Sequence, residues 1–211
     1  MCFDVDSTVC TDEGIDELAA FCGAGEAVAA LTARAMGGSV PFEDALAARL
    51  DLIRPSSADV ARFLAEHPPR LSPGIAALVA ALAARGAAVF LVSGGFTQMI
   101  HPVADALGIP RERVFANTLL FDASTGQYAG FDKTAFTCRS GGKAAATEHI
   151  RTLGAHAPLV MIGDGATDLE ARRPGGADIF IGYGGIAQRP VVMAGADWFV
   201  TSFDPLIAAL Q

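Results

Sequence analysis

Phe3-Asp4-Val5-Asp6-Ser7-Thr8 turns a short apolar lead, Cys2-Phe3, into two aspartates with one residue between them. Residues i and i+2 of an extended segment project to the same side. The spacing therefore predicts that Asp4 and Asp6 converge at the C-terminal tip of a first strand. In open α/β sheets that tip is where ligands bind. Two carboxylates held together repel each other, and a hard, oxygen-seeking cation such as Mg²⁺ relieves the repulsion. On their own the six residues would also suit an acidic turn after an edge strand. The decision rests on what the remaining chain sets beside them.

Behind Thr8, residues 14 to 67 read as helix without strand-like alternation. Ile15, Leu18, Ala19 and Cys22 recur at i, i+3, i+4, i+7 before Gly23. Further periodic stretches run over 26–36, 42–53 and 57–66, with Pro41 and Pro55 at helix starts and Pro68-Pro69 closing the run. From Ser72 the pattern changes. A helix opens at Pro73-Gly74 and stops at Gly86, and Ala87 to Val92 is then a continuous apolar run, as in a parallel strand buried on both faces. A helix over 98–107, a strand over 114–116 and a hairpin pairing 118–121 with 127–131 follow. Beyond them lie a helix over 143–153, a strand over 159–162, a helix over 166–172 and strands over 179–181 and 198–200. Strands alternating with helices at this spacing predict an α/β fold, a doubly wound, Rossmann-like parallel sheet. Residues 1–12 and 70–211 form that core, and 13–69 form an inserted small helical domain.

Bulk composition narrows the function classes. With 211 residues, 52% apolar and 18% charged, the chain reads as a folded globule, not a disordered one. No apolar run reaches the roughly 18 residues of a membrane span, so no membrane partner is expected. A net charge of −8 without a Lys/Arg cluster argues against nucleic acid as a partner. Cys2, Cys10, Cys22 and Cys138 show no metal-type spacing and read as reduced thiols in a reducing compartment. No secretory signal pattern is present. Only three residues precede Asp4, whereas strands usually have about five or six; a natural segment upstream is therefore expected. The cytoplasm is the default compartment, with an organelle such as a plastid the alternative if that segment is a transit peptide.

Three apolar strands end in chemically complementary loops. The first carries Asp4 and Asp6. The second ends in Ser93-Gly94-Gly95, whose hydroxyl and backbone N–H groups ahead of a helix suit an anion. Another ends in Gly163-Asp164-Gly165-Ala166-Thr167-Asp168, and Lys143 follows Ser140-Gly141-Gly142 at a helix start. Each alone is an ordinary turn or a solvated lysine. In a parallel sheet they share one edge. An aspartate can attack phosphorus and carry the phosphoryl group. Such transfer needs chiefly positioning and charge neutralisation, which Mg²⁺ on Asp4 and Asp164, with Lys143 on the other oxygens, would provide. Asp6 is placed to protonate the leaving alkoxide and then to activate water.

Taken together, Asp4-Val5-Asp6-Ser7-Thr8, Ser93-Gly94-Gly95, Lys143 and Gly163 to Asp168 resemble the four motifs of the haloacid dehalogenase superfamily of aspartate-nucleophile phosphatases. Within it the resemblance is to the phosphoserine-hydrolysing branch, and it extends over Asp12 to Leu18, Arg34 to Gly38 and onward to the C-terminal strand. It implies Asp4 as nucleophile and Asp6 as general acid/base whose backbone carbonyl also touches Mg²⁺, with Asp164 a further metal ligand and Asp168 behind it. Ser93, Gly94, Lys143 and Thr167 would bind phosphate. The helical insert would be a cap in which Glu13 meets the substrate ammonium, Arg49 its carboxylate, and Met36, Gly37 and Phe42 shape the pocket. An acid, a base and an anion cradle are what free phosphoserine requires, and the planar fork of Arg suits a carboxylate.

Two rivals stand beside this reading. One keeps the chemistry for another small phosphomonoester, since insert residues and not the core set specificity. The other is a receiver-like phospho-aspartate signalling domain. It is disfavoured because Asp6 would promote the dephosphorylation that storage must avoid, and because a receiver needs no insert carrying Glu13 and Arg49. The partner expected is a small molecule, with the chain a monomer or homodimer.

Overall fold

β1 (Cys2–Phe3) is two residues long, yet it occupies the middle of a six-stranded sheet, between β2 (Phe90–Phe96) and β6 (Val160–Gly163). The computed structural model describes residues 1–35, 41–154 and 158–211. β3 (Val114–Asn117) lies outside β2, and β7 (Ile179–Tyr183) and β8 (Trp198–Val200) lie outside β6. The order is β3-β2-β1-β6-β7-β8, and every pairing is parallel. The chain winds one way from β1 to β3 and the other way from β6 to β8. The crevice beyond the carboxyl ends of β1 and β6 is thus the switch point at which doubly wound sheets bind ligands.

Period-2 alternation divides the core. Phe3, Leu91, Ile162 and Ile181 face α5 (Ile75–Ala84), α6 (Thr97–Ala106) and α10 (Asp204–Ala209), joining Leu78, Leu82, Ile100, Val103 and Leu206 in one buried cluster. Cys2, Val92, Met161 and Phe180 face the other way, against Ala146 and Ile150 of α7 (Gly142–Thr152) and Val192 of α9 (Pro190–Gly195). Each fully buried side chain of this size contributes about 1.5–3 kcal/mol. A central strand of only two residues is held because both are wholly buried between full-length neighbours.

The helical segment forms α1 (Gly14–Phe21), α2 (Gly25–Ala35), α3 (Phe42–Ile53) and α4 (Ser57–Glu66). Ser56 and Asp59 make a reciprocal capping box that fixes where α4 begins. Leu18, Val28, Leu46, Leu50, Ile53, Val60 and Phe63 bury one face of this layer. Their partners are Phe96 at the end of β2, Cys138, and Leu119 and Phe131 of a separate antiparallel hairpin, β4 (Leu119–Phe121) with β5 (Tyr128–Phe131). The layer therefore sits over the carboxyl edge of the sheet and not on either face.

Several element bounds differ from the sequence reading. The strand expected over 87–92 starts at Phe90 and runs through Ser93-Gly94-Gly95 to Phe96, so these three residues are extended and not a loop. Ahead of β1, Met1 meets Ala88 and Phe90, its ammonium donating to the Ala88 carbonyl at 2.7 Å and its carbonyl accepting from Phe90 N–H at 2.8 Å. The helix expected over 166–172 is the single turn α8 (Ala166–Leu169), after which Ala177 N–H donates to the Ala171 carbonyl. α9 and α10, each with proline in its first turn, were not anticipated. Among the described residues no helix is long and apolar enough to cross a membrane.

Candidate active site

The ladder of β1 extends one residue past the strand, Asp4 N–H donating to the Ile162 carbonyl at 2.9 Å. This fixes Asp4 at the switch point. Its buried carboxylate accepts on Oδ1 from Val5 N–H at 2.8 Å and lies 2.7 Å from Lys143 Nζ. The chain then makes one wide turn, closed by Cys10 N–H donating to the Val5 carbonyl at 2.8 Å. Inside the turn Ser7 adopts the left-handed region, φ 52° and ψ 12°, a conformation that costs a non-glycine residue about 1–3 kcal/mol. Its hydroxyl donates to Glu13 Oε1 at 2.7 Å, while Thr8 Oγ1 donates to Asp164 Oδ1 at 3.4 Å.

Asp6 points to the other side of the turn and ties three segments together. Its Oδ1 accepts from Gly14 N–H, the first amide of α1, at 2.8 Å; its Oδ2 accepts from Ser93 Oγ at 3.4 Å. Ser93 Oγ in turn accepts from Gly95 N–H at 2.9 Å. Burial, then the charge of Asp4, pushes the Asp6 carboxyl up to about 7. Gly94 carries no side chain because the Phe42 ring occupies the space: a Cβ there would lie 3.3 Å from Phe42 Cζ.

Lys143, at the start of α7, is buried between two carboxylates, its Nζ 2.7 Å from both Asp4 Oδ1 and Asp168 Oδ1. Burial opposes the ammonium, yet these two charges outweigh it and hold its pKa above the ordinary lysine value. Asp168 is pushed upward by burial and by Asp4, against the pull of Lys143. Its Oδ2 accepts from Gly165 N–H at 3.0 Å, and it presses against Gly163, where a Cβ would collide with its carboxyl group. Asp4, Asp164 and Asp168 bring one carboxylate oxygen each to within 4.8 Å of one another. Three buried oxygen donors of like charge fit a hard divalent cation. Burial and the Asp4 charge push Asp164 upward as well, with the Arg189 hydrogen bond working against them.

Above this floor is a cavity of about 190 Å³ whose far wall is the helical layer. Phe42, Arg49 and Glu13 line it together with Asp4, Asp6, Gly94, Lys143, Asp164, Thr167 and Asp168. Arg49 Nε donates to the Ala45 carbonyl at 3.3 Å, and burial lowers its pKa against the pull of Asp16, Glu13 and Asp6. Burial raises Glu13, which the Ser7 hydrogen bond opposes. Of the residues singled out in the sequence, Ser93 lies fully buried beneath this cavity. Met36 and Gly37 fall outside the described residues.

Further contributors were missed. Arg189 lines the same cavity and donates from Nε to Asp164 Oδ2 at 3.0 Å. Its signal was Gln188-Arg189-Pro190 after a strand, where proline marks a helix start. Ile15 and Leu46 supply apolar lining to the same cavity; nothing distinguishes them in sequence from other periodic apolar positions.

The haloacid dehalogenase-like hydrolase family matches residues 1–173. The chain is 61% identical over 211 residues, all of it and 71% of its relative, to the chloroplastic phosphoserine phosphatase of Arabidopsis thaliana. Among solved structures it superposes on that of DsGPDH of Dunaliella salina with a TM-score of 0.86 and 43% identity, covering all of this chain and 35% of that longer one. It superposes on a substrate-bound phosphoserine phosphatase complex with a TM-score of 0.80 and 26% identity, covering all of this chain and 97% of that one.

Proposed function

The chain belongs to the haloacid dehalogenase-like hydrolases and, among them, to the phosphoserine phosphatases, and from that membership we infer that its cavity hydrolyses O-phosphoserine to serine and phosphate, the last step of serine biosynthesis. The observation that supports the substrate is the opposed pair on the helical wall: Glu13 and Arg49 line one cavity, facing a floor of aspartates and a buried lysine. An acid and a planar guanidinium are what the ammonium and carboxylate of an amino acid require.

Asp4 is the nucleophile. Its Oδ1 is committed to Val5 N–H and Lys143, so Oδ2 attacks phosphorus, forming an aspartyl-phosphate as the bond to the serine oxygen breaks. Asp6, its carboxyl raised to about 7 by burial and the Asp4 charge, gives that oxygen its proton. Water then attacks the aspartyl-phosphate, passing a proton back to Asp6 and releasing phosphate from a regenerated Asp4. Lys143 stays charged throughout and neutralises phosphoryl oxygens, with Ser93, Gly94 and Thr167 completing the anion cradle. Mg²⁺, held by Asp4, Asp164 and the Asp6 backbone carbonyl with Asp168 behind, would supply the remaining charge neutralisation. Residues 13–69 act as a cap that brings Glu13, Phe42 and Arg49 over the substrate. The compartment is one where serine is made, the cytoplasm by default or a plastid, as the name of the chloroplastic relative suits.

Phosphate release measured over a panel of small phosphomonoesters tests the reading. Phosphoserine should head the panel with Mg²⁺ present, EDTA should abolish turnover, and Mg²⁺ should restore it. Preference for an ester lacking the amino-acid group, or turnover that survives EDTA, would overturn it.

A further inference from the structure

Ser7 stands where a serine is unfavourable and does something no glycine could. It is buried, its φ of 52° lies in the left-handed region, and its hydroxyl reaches across the turn to Glu13 Oε1 at 2.7 Å. Its own N–H donates to the Asp12 carbonyl at 3.3 Å, so the loop from 7 to 12 is closed by Ser7 at both backbone and side chain. Glycine accepts this conformation without cost; what serine adds is the hydroxyl. We propose that Ser7 is a positioning residue for substrate selection, holding the Glu13 carboxylate with Oε1 engaged and Oε2 turned to the ammonium of the substrate. This rests on the reading of Glu13 as the ammonium contact. Two observations support it.

The first is how Glu13 is attached. It is the residue before α1, with φ −102° and ψ 107°, and its side chain makes no capping bond to that helix. The helix therefore does not orient the carboxylate, and Ser7 is its hydrogen-bond donor among the described residues. The second is charge. Burial disfavours an ionised Glu13, and Asp4, Asp164 and Asp16 all work in the same direction, whereas the Ser7 hydrogen bond works against them. One hydroxyl thus both aims the carboxylate and favours the charged form that an ammonium needs. The wide turn that follows the nucleophile consequently carries selectivity as well as chemistry.

Steady-state kinetics on phosphoserine and on 4-nitrophenyl phosphate, which lacks ammonium and carboxylate, test this with Ser7→Gly, Glu13→Gln and the double variant. Ser7→Gly fits the backbone, so its melting temperature should hold or rise. Its KM for phosphoserine should rise about tenfold, as for a lost hydrogen bond to a charged group, with kcat and both aryl-phosphate constants within about twofold. The double variant should be no worse on phosphoserine than Glu13→Gln alone, because the two changes remove one function. Equal losses of Ser7→Gly on both substrates, or none on either while Glu13→Gln discriminates, would overturn the role of Ser7 and leave Glu13 standing. Equal effects of Glu13→Gln on both substrates would remove the ammonium contact itself, and the proposal with it.

Discussion

Gly14 N–H donates to Asp6 Oδ1 at 2.8 Å, so the first amide of the helical layer grips the carboxyl two residues beyond Asp4. The bond joins the helical layer directly to Asp6, the proposed acid/base group. Gly14 is the first residue of α1, where proline is tolerated, and Glu13 before it already has the extended conformation that proline demands. Gly14→Pro therefore deletes this donor while keeping the helix; its Cδ takes the place of the N–H that Asp6 Oδ1 accepts from and pushes the Asp6 carboxyl aside, while the added Cβ meets the flexible Met99 side chain at 3.0 Å and Asp6 Oδ1 at 3.3 Å. We expect kcat for phosphoserine to fall about tenfold or more with α-helical circular dichroism unchanged. An unchanged kcat would show that the amide does not orient Asp6.

Asp4→Asn should abolish phosphate release while the protein stays folded. Asparagine keeps an acceptor for Val5 N–H, and Lys143 keeps Asp168 at 2.7 Å. A full-rate burst of phosphate from this variant, with wild-type thermal melting, would refute Asp4 as the group that carries phosphoryl.

Arg49→Ala removes the guanidinium from the cavity wall. The loss should raise KM for phosphoserine by about one to two orders of magnitude, the range of a charged hydrogen-bonded contact, and spare an aryl phosphate. Equal losses on both would take Arg49 out of the carboxylate pocket. The measurement is kcat/KM on the two substrates side by side.

The hairpin under the helical layer titrates apart from the site. Asp122 Oδ1 accepts from Ser124 N–H at 3.0 Å and Thr125 N–H at 2.8 Å, and from both hydroxyls. The Ser124 hydroxyl, then the Thr125 amide, lead in holding its pKa down at about 2, against an ordinary 3.8. A carboxyl with a lowered folded pKa adds stability above its unfolded value and loses it as pH falls through the folded one. The turn should accordingly hold down to pH 3.8 and loosen between there and about 2. Carbon-13 titration of the Asp122 carboxyl should give a midpoint near 2, and a midpoint near 4 would mean that the turn bonds do not persist in solution.

What was legible in the sequence follows from how local each signal is. Asp4, Asp6, Asp164, Asp168 and Lys143 stand at strand ends and helix starts, positions that period, glycine and proline mark, and a parallel sheet then gathers them on one edge. The helices over 42–53 and 57–66 matched to the residue because their prolines and capping serine are local stops. β2 was misplaced because its length depends on β1 and β3, not on its own apolar run. Arg189 escaped because its role depends on Asp164, 25 residues away. The Ser7–Glu13 bond depends on a backbone angle that no pattern of side chains encodes.

The hydrophobic interior of the helical layer is shared with Phe96, Leu119, Phe131 and Cys138, which the chain supplies only after β2 begins. Helical layer and sheet are therefore not separable modules. Exchanging residues 13–69 alone for another helical layer would leave those four side chains facing a stranger's surface, so the transplantable unit is the four helices together with the β4–β5 hairpin, Phe96 and Cys138. Changing the surface this layer presents to the cavity therefore requires several distant stretches of chain to change in concert.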